Sequence, residues 1–221
     1  MWRGDFAFEP HAAQYRGAAG DNAFHVHFAI QVVQGMDRAV FVETAEGLVT
    51  GSSLTIGSLV PHRLHPQDDV IIRWIEPTSV EGRILVARQT APIMVGSAPF
   101  SHHSTPALDE AVRQAIGQVT AGPRSLASVA SDIGISPHRL RQAARGALAG
   151  SLRRWTLWLK LCRAARSIAG GATLAQAAID GDFADQAHLN RTMRAMFGIT
   201  PGIFRSAAHG GIDRQPSGHG G

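Results

Sequence analysis

The chain has 221 residues, of which 44% are hydrophobic, and a formal net charge of +4. This length allows one or two domains, and this hydrophobic content excludes a largely disordered chain. No uninterrupted apolar run approaches about 18 residues, so no membrane-spanning helix and no membrane partner are expected. The first residues, MWRGDFAFEPHAAQ, carry acidic residues and proline where a secretory signal is apolar, which favours a cytoplasmic protein.

The sequence offers little evidence for a catalytic site. Cys162 is the single cysteine, so the chain forms no internal disulfide and has no second thiol for a zinc knuckle. The sequence contains no phosphate-binding loop, no paired catalytic carboxylates and no Ser/His/Asp set. We therefore expect a protein that is not an enzyme and that needs no cofactor.

The positive charge is concentrated in the second half of the chain. Residues 1–100 contain seven arginines and ten acids, a net charge of −3, whereas residues 101–221 contain thirteen arginines, one lysine and seven acids, a net charge of +7. Arginine offers a planar fork of donors that suits phosphates and guanine edges. The asymmetry indicates that the second half meets a polyanion, although genomic composition alone can also produce it.

Short runs rich in Val, Ile, Phe and Thr, separated by Gly, Pro, Asp and Asn, fill the first half and predict β-strands. These runs are FHVHFAIQVV, RAVFVET, LVTGSSLTIG, VIIRWIEP and GRILVARQT. Five or six short strands with no helical period between them indicate a small all-β sandwich or barrel. Trp74, in the fourth run, is expected in its core.

Histidines accompany two of these segments. His25, His27 and Gln31 lie in FHVHFAIQ, and VPHRLHP contributes His62 and His65. The order His-x-His-x₃-Gln, followed about thirty residues later by a Pro-His segment, resembles the cupin barrel. In metal-binding cupins the first motif supplies two histidines and a glutamate, and the second supplies a further histidine.

Carried over, the cupin resemblance implies candidate ligand-binding residues at His25, His27, Gln31 and His62. Gln31 stands where those cupins have glutamate, which removes a negative charge and weakens a site for a hard metal. Three interpretations remain open at this stage. The side chains hydrogen-bond a small effector, they are structural or exposed, or they bind a metal; we expect no metal.

Residues 98–107 begin the segment APFSHHSTPALDE, whose Ser, His, Pro and Thr content predicts a linker. From Leu108 the apolar period changes to about 3.6 residues. The predicted helices span residues 107–119, 125–133, 137–147, 151–169, 173–179, 184–197 and 201–207. The glycine-rich residues 208–221 are expected to be a disordered tail.

The first pair of short helices has the pattern of a helix-turn-helix unit, SLASVASDIGISPHRLRQAAR. Gly134 is suited to end the first helix, and Ser136 and Pro137 are suited to begin the second. Leu140 and Ala143 are expected to face the first helix. The opposite face carries the candidate DNA-binding residues His138, Arg139, Arg141, Gln142 and Arg145.

A second such pair follows, TLAQAAIDGDFADQAHLNRTMRAMFG, with its turn at Gly181. Leu189, Met193 and Met196 predict the buried face of its second helix. The other face carries the candidate DNA-binding residues Gln186, Asn190, Arg191 and Arg194. Gln and Asn can pair with adenine, and Arg with guanine or phosphate. The helix SLRRWTLWLKLCRAARSIA joins the two units, which must lie about 34 Å apart to enter one face of a duplex.

The segment GDFADQAHLNRTMRAMFGITPGIFR resembles the signature of the AraC/XylS family of bacterial transcription regulators. The matching positions are Gly181, Phe183, Asp185, Gln186, His188, Arg191, Phe197, Gly198, Thr200, Pro201 and Arg205. The resemblance extends over about residues 108–206 and adds Asp185 and His188 to the candidate DNA-binding residues. It implies a double-stranded DNA operator as partner, and many such regulators carry a cupin-like sensor domain. RNA polymerase and a second copy of the chain are further candidate partners.

The sequence thus predicts a small all-β cupin-like barrel followed by an all-α domain with two helix-turn-helix units. The expected boundaries are a sensor or dimerisation domain at 1–97, a linker at 98–107 and a DNA-binding domain at 108–207. The leading hypothesis is a sequence-specific transcription regulator controlled by a small molecule in the barrel. The alternatives are a metal-dependent cupin enzyme with an accessory helical domain, and a DNA-binding protein without any effector.

Overall fold

A computed structural model describes residues 1–88, 111–112, 114–118, 124–148 and 151–209 of the chain. The predicted linker at 98–107 and residues 210–221 of the predicted tail lie outside this range. The prediction of an all-β region followed by an all-α region is confirmed, with one helix added at the end of the β region.

The β region contains eight strands in two antiparallel sheets. The strands are β1 (Arg3–Phe8), β2 (Ala12–Ala19), β3 (Ile30–Gly35), β4 (Val40–Thr44), β5 (Gly47–Gly51), β6 (Ser53–Ile56), β7 (His62–Leu64) and β8 (Gln67–Ile75). One sheet has the order β1-β2-β8-β3-β6 and the other the order β5-β4-β7. Val33 and Ile72 of the first sheet and Val42 of the second are fully buried in one core.

Two strands at the start of the chain were not predicted. In β1 and β2 glycine, alanine and charged residues interrupt the Val and Ile pattern on which strand prediction relies. The two strands form because β2 pairs with β8 and buries Tyr15, whose hydroxyl donates to the carbonyl of Ala18 at 2.6 Å. Gly17, at φ +144°, lies so close to the β1 backbone that a side chain would not fit.

The prediction of a strand at GRILVARQT is wrong for the residues of this segment that the structure describes. Val80–Arg88 forms a helix, α1. The hydroxyl of Ser79 accepts the amide hydrogen of Gly82 at 3.0 Å, which caps the helix start. Glu81, in the first turn, accepts from the guanidinium of Arg73 in β8 at 3.1 Å. The Ser79 cap and this acidic first turn were the available sequence signals for a helix.

The helical region follows the predicted periodicity closely. Residues 111–112 and 114–118 are helical, followed by α2 (Leu126–Ile133), α3 (Pro137–Leu148), α4 (Leu152–Ala169), α5 (Leu174–Asp180), α6 (Gln186–Phe197) and α7 (Pro201–His209). The last helix continues two residues into the segment that was predicted to be a disordered tail. Helix α4 is central, since it contacts α3, α5, α6 and α7.

The β region and the helices share an extensive apolar junction. The rings of Phe6 in β1 and Phe204 in α7 have centroids 4.3 Å apart, and those of Phe28 and Trp155 are 4.9 Å apart. The guanidinium of Arg166 in α4 donates to the carbonyl of Glu9 at 2.9 Å. The β region is therefore packed directly against α4 and α7.

Candidate DNA-binding surface and histidine cluster

The turn between α5 and α6 is held tightly against α4. Gly181 is buried where a side chain would collide with the Cβ atom of Ala164 and the carbonyl of Lys160. Asp182 follows in the left-handed conformation, at φ +57°. Its carboxylate lies 2.6 Å from the Lys160 ammonium, which also donates to the Asp182 carbonyl at 2.8 Å. This ion pair stabilises a backbone conformation that a residue other than glycine adopts at a cost.

Helix α6 is amphipathic in the predicted sense. Its buried residues are Leu189, Thr192, Met193 and Met196. The predicted polar stripe is exposed to solvent and consists of Gln186, Asn190, Arg191 and Arg194. Within the described residues, neither Arg191 nor Arg194 is paired with a carboxylate, so both guanidinium groups are available to an external anion.

Asp185 and His188 have structural roles at the start of α6. The Asp185 carboxylate caps the helix by accepting the backbone amide hydrogen of His188. The His188 ring is half-buried and meets the Phe183 ring edge-on, with centroids 5.1 Å apart. Both side chains thus fix the turn that positions the exposed stripe, and their predicted contacts with DNA stay predictions.

The first unit has the predicted caps at Gly134 and Ser136 and a further cap at Ser125. The Ser125 hydroxyl accepts from the amide of Ser128 at the start of α2, and Gly134 ends the helix at φ +74°. The Ser136 hydroxyl accepts from the amide of Arg139 at 3.2 Å. Leu140 is buried together with Ala143 and Ala144, whereas the predicted reading face is exposed. That face consists of His138, Arg139, Arg141, Gln142 and Arg145.

His25, His27 and His62 form a buried cluster, which we call the histidine cluster. His25 and His62 pair through their backbones, with N···O distances of 2.9 and 3.0 Å. Each ring offers one nitrogen, and the three nitrogens lie within 4.8 Å of one another. The three histidines that were predicted to bind a ligand therefore come together. His65, which was not among the candidates, lies apart and contacts Glu43 at 3.3 Å.

Gln31, the fourth candidate, lies at the centre of the cluster. Its side-chain oxygen Oε1 is 2.8 Å from Nε2 of His27 and 3.2 Å from Nε2 of His62. The indole N–H of Trp74 donates to the same oxygen at 2.9 Å. Trp74 is in the core, as predicted, but its contact with Gln31 was not, because it joins residues 43 positions apart in the sequence.

The imidazoles of the cluster are held neutral by their burial. Desolvation lowers the pKa of His25 to about 3, with a further contribution from His27. Burial also lowers the pKa of His27 and holds the pKa of His62 well below its ordinary value. Neutral imidazole is the form that binds metal ions, and three imidazoles with an amide oxygen are a suitable donor set for a borderline divalent metal.

Side chains of the helical region cover the cluster. The rings of Trp158 in α4 and Phe197 in α6 each lie 6.2 Å from the His27 ring, centroid to centroid. Phe197 also meets Trp74 edge-on at 5.6 Å. Beside them lies an apolar cavity of about 30 Å³, lined by Phe6, Trp74, Trp158 and Phe197, among others. This volume accommodates one or two water molecules rather than a metabolite.

Residues 129–207 match the model of a family described as a helix-turn-helix domain. Those residues are an AraC-type helix-turn-helix domain. The domain includes α3 to α6 with both exposed faces, so the sequence resemblance to the AraC/XylS family is confirmed there. No curated protein matches the chain. Among the described residues, no helix is long and apolar enough to span a membrane.

Solved structures with a similar fold include ToxT from Vibrio cholerae O395. It is 7% identical to this chain with a TM-score of 0.57, and the match covers 91% of this chain and 100% of the ToxT chain. A fatty-acid-bound ToxT from Vibrio cholerae strain SCE256 is 8% identical with a TM-score of 0.56, over 91% and 97% of the two chains. An AraC-type transcriptional regulator from Chromobacterium violaceum is 23% identical with a TM-score of 0.43, over 48% and 95%. The two ToxT structures share with this chain the order of a β region followed by a helical region.

Proposed function

We propose that the protein is a sequence-specific DNA-binding transcription regulator that reads two adjacent segments of the major groove. The observation that carries this proposal is the pair of helix-turn-helix units in an AraC-type domain, each with a solvent-exposed face of donor side chains. In both units the apolar side of the helix is buried, which sets the angle at which the polar side meets a duplex.

The composition of the two faces suits contacts with base edges as well as with the DNA backbone. Gln142, Gln186 and Asn190 carry the amide groups that pair with adenine edges. The arginines supply donors to guanine and to phosphate, and each phosphate that they neutralise releases counterions. We therefore expect DNA affinity that falls steeply with salt and a sequence preference that depends on the amide residues and a subset of the arginines.

We further propose that the β region is a sensor whose effector binds at His25, His27, Gln31 and His62. The cluster is the polar centre of the β region, and it lies against α4 and α6 of the DNA-binding domain. An effector bound there is thus placed to alter the position of the second reading helix. A cytoplasmic location, contact with RNA polymerase and assembly as a homodimer complete the proposal, as expected of a bacterial regulator.

The alternative of a metal-dependent enzyme is less well supported. His27 and His62 are 1% and 0% exposed, so a substrate would first have to displace the side chains of the helical region that cover them. A cupin enzyme needs an open coordination position that its substrate reaches from solvent. The cluster is accordingly better suited to a small regulatory ligand than to turnover.

The decisive experiment is selection of bound duplexes from a random DNA pool with the purified full-length chain at near-physiological salt. We expect an enriched motif with two blocks about one helical turn apart, roughly 34 Å along the duplex. The Arg191→Ala variant is the internal comparison, since it should enrich a motif altered in one block only. Salt-sensitive binding with no enriched motif would contradict a specific regulator and leave a general DNA-binding protein.

A further inference from the structure

Strand β5 has one side that is open to another strand in the part of the chain that the structure describes. It pairs with β4 and ends the sheet order β5-β4-β7. Gly47, Leu48 and Thr50 are exposed. Apart from its chain neighbours, no described residue has an atom within 4 Å of a Cβ atom placed on Gly47. The backbone groups of β5 that point away from β4 are therefore free to pair with another strand.

The other edge strands have features that hinder such pairing. Strand β1 carries Arg3 and Asp5 and packs against α7. Strand β7 has three residues, and its first residue, His62, already forms a bridge with His25. Strand β6 has four residues. Strand β5, GLVTG, contains neither a charged residue nor a proline, which are two common means by which natural sheets protect an edge.

The exposed side chains of β5 continue the outer face of β4. Leu48 lies opposite Glu43, and Thr50 lies opposite Phe41. Leu48 is 59% exposed and Phe41 is 41% exposed, whereas Val49 is half-buried against the core. The outer face thus ends in an apolar side chain at the free edge of the sheet. A strand added beside β5 would remove Leu48 from water.

We propose that β5 pairs with β5 of a second copy of the chain, antiparallel about a two-fold axis, so that two three-stranded sheets become one of six strands. In an antiparallel pair, opposite residues have their side chains on the same face, so the axis passes through a residue, which is Val49 at the centre of β5. Leu48 then lies opposite Thr50 of the partner subunit and diagonal to Leu48 of the partner subunit, within reach of its side chain. This inference names the surface of the homodimer in the proposed function and rests on that function for its role.

The charges around β5 favour a second copy over an unrelated strand. A two-fold axis brings each residue close to its own counterpart, so a charged residue near the axis would meet a like charge. The five residues of β5 carry no charge. Glu46, just before the strand, would lie opposite Ser52 of the partner subunit, whose hydroxyl can donate to a carboxylate. Glu43, on the outer face of β4, is paired with Arg63 of its own chain.

The size of the contact makes it a weak one in solution. The five residues of β5 bury less surface than a standard stable interface of about 1,200–2,000 Å². We therefore expect a dissociation constant on the order of 100 μM. Two copies bound to adjacent operator sites meet at an effective concentration on the order of 1 mM, which exceeds this value. Pairing of the β5 strands would consequently couple the binding of two chains to one DNA.

Sedimentation of the full-length chain without DNA, at about 5 to 500 μM, tests the pairing. We expect a monomer–dimer equilibrium. Leu48→Lys and Thr50→Glu each place like charges near one another across the axis, so each should weaken the dimer about tenfold. An equimolar mixture of the two variants should recover the association of the parent, because the introduced charges are then opposite in sign and lie opposite each other. Both side chains are exposed, so neither substitution disturbs the core.

Val80→Lys is the matched control, because it replaces an exposed apolar residue of the β region in α1, and it should leave the association unchanged. A parent chain that stays monomeric at about 500 μM would overturn the proposal. Association that both β5 variants retain and Val80→Lys loses would place the interface on α1 instead. Variants that fail to associate when mixed would exclude the antiparallel pairing. Because no DNA is present, these outcomes are independent of whether the chain selects an operator.

Discussion

The backbone amide of Ala23 donates a 3.0 Å hydrogen bond to the carbonyl of Gly198, the residue that ends α6. Gly198 has φ +70°, and a Cβ atom there would collide with the Ala23 backbone and lie 2.9 Å from Nδ1 of His25. The same glycine thus caps a helix of the DNA-binding domain and admits the segment of the β region that carries the histidine cluster. Its small size is required by the contact between the two regions as well as by the turn.

Gly198→Ala and Gly134→Ala form a matched pair of substitutions. Gly134 also ends a helix, at φ +74°, but no atom lies within 4 Å of its added Cβ. We expect Gly134→Ala to lower the free energy of unfolding by about 1 kcal/mol, the cost of a left-handed residue with a side chain. Gly198→Ala should lose about 3 kcal/mol or more, because the Ala23 backbone must also move. Urea unfolding measures both; equal losses would show that the junction does not constrain Gly198.

Arg191→Ala should weaken binding to the selected operator by about tenfold to a hundredfold and change the preferred base in one block. Arg141→Ala should do the same in the other block. Arg38→Ala is the matched control, because it removes the same charge from an exposed position of the β region where Arg38 lies 3.8 Å from Asp68. Fluorescence anisotropy with the selected duplex measures all three. Equal affinities of the three variants would place the reading faces elsewhere.

The stability of the metal-free chain should fall as the pH is lowered below about 6.5. Burial holds the pKa of all three cluster histidines below the ordinary value, for His25 at about 3. The unfolded chain therefore binds more protons than the folded one in this range, so stability is full at higher pH and is lost on acidification. Between pH 7.5 and 5.5 the loss from His25 alone is about 1.4 kcal/mol. The lowered pKa values of His27 and His62 add to this loss in the same direction.

Urea midpoints in the presence of chelator, at pH 7.5 and 5.5, measure this loss. His62→Asn removes one of the three titrating groups, so its loss of stability between these two pH values should be smaller than that of the parent. An equal loss of stability in variant and parent would contradict a lowered pKa of His62, because a group with the same pKa in the folded and unfolded chain does not contribute to this loss.

Two substitutions of Asp185 separate its role as a helix cap from its predicted contact with DNA. Asp185→Ala removes the acceptor for the His188 amide and should destabilise the chain by about 1 kcal/mol. Asp185→Asn retains an N-cap acceptor, so its stability should stay within a few tenths of a kcal/mol of the parent. Operator affinity of the asparagine variant then reports on DNA contact alone. An alanine variant as stable as the parent would contradict the capping role.

Local sequence patterns determined most of the helical region. The caps at Ser125, Gly134 and Gly198 and the apolar period of α6 act within one or two helical turns, so the residues that form each element are neighbours in the sequence. The exposed stripes followed from the same patterns, because a helix whose apolar side is buried presents its other side to solvent. The sequence also selected the three histidines and Gln31, through spacing that resembles a cupin motif.

Tertiary structure alone decided how the two regions meet. The strand predicted for FHVHFAIQVV begins only at Ile30. Before it, His25 forms an isolated bridge with His62, whereas the amides of Ala23 and Val26 bond to Gly198 and Ala195 at the end of α6. Trp74 fixes the Gln31 amide, and Phe197 covers His27, over separations of 43 and 170 residues. A contact of this kind leaves no periodicity in the chain, since it depends on which surfaces the folded elements bury against each other. For that reason the sequence determined the two exposed polar faces, and only the fold placed the histidine cluster beneath one of the two helices that carry them.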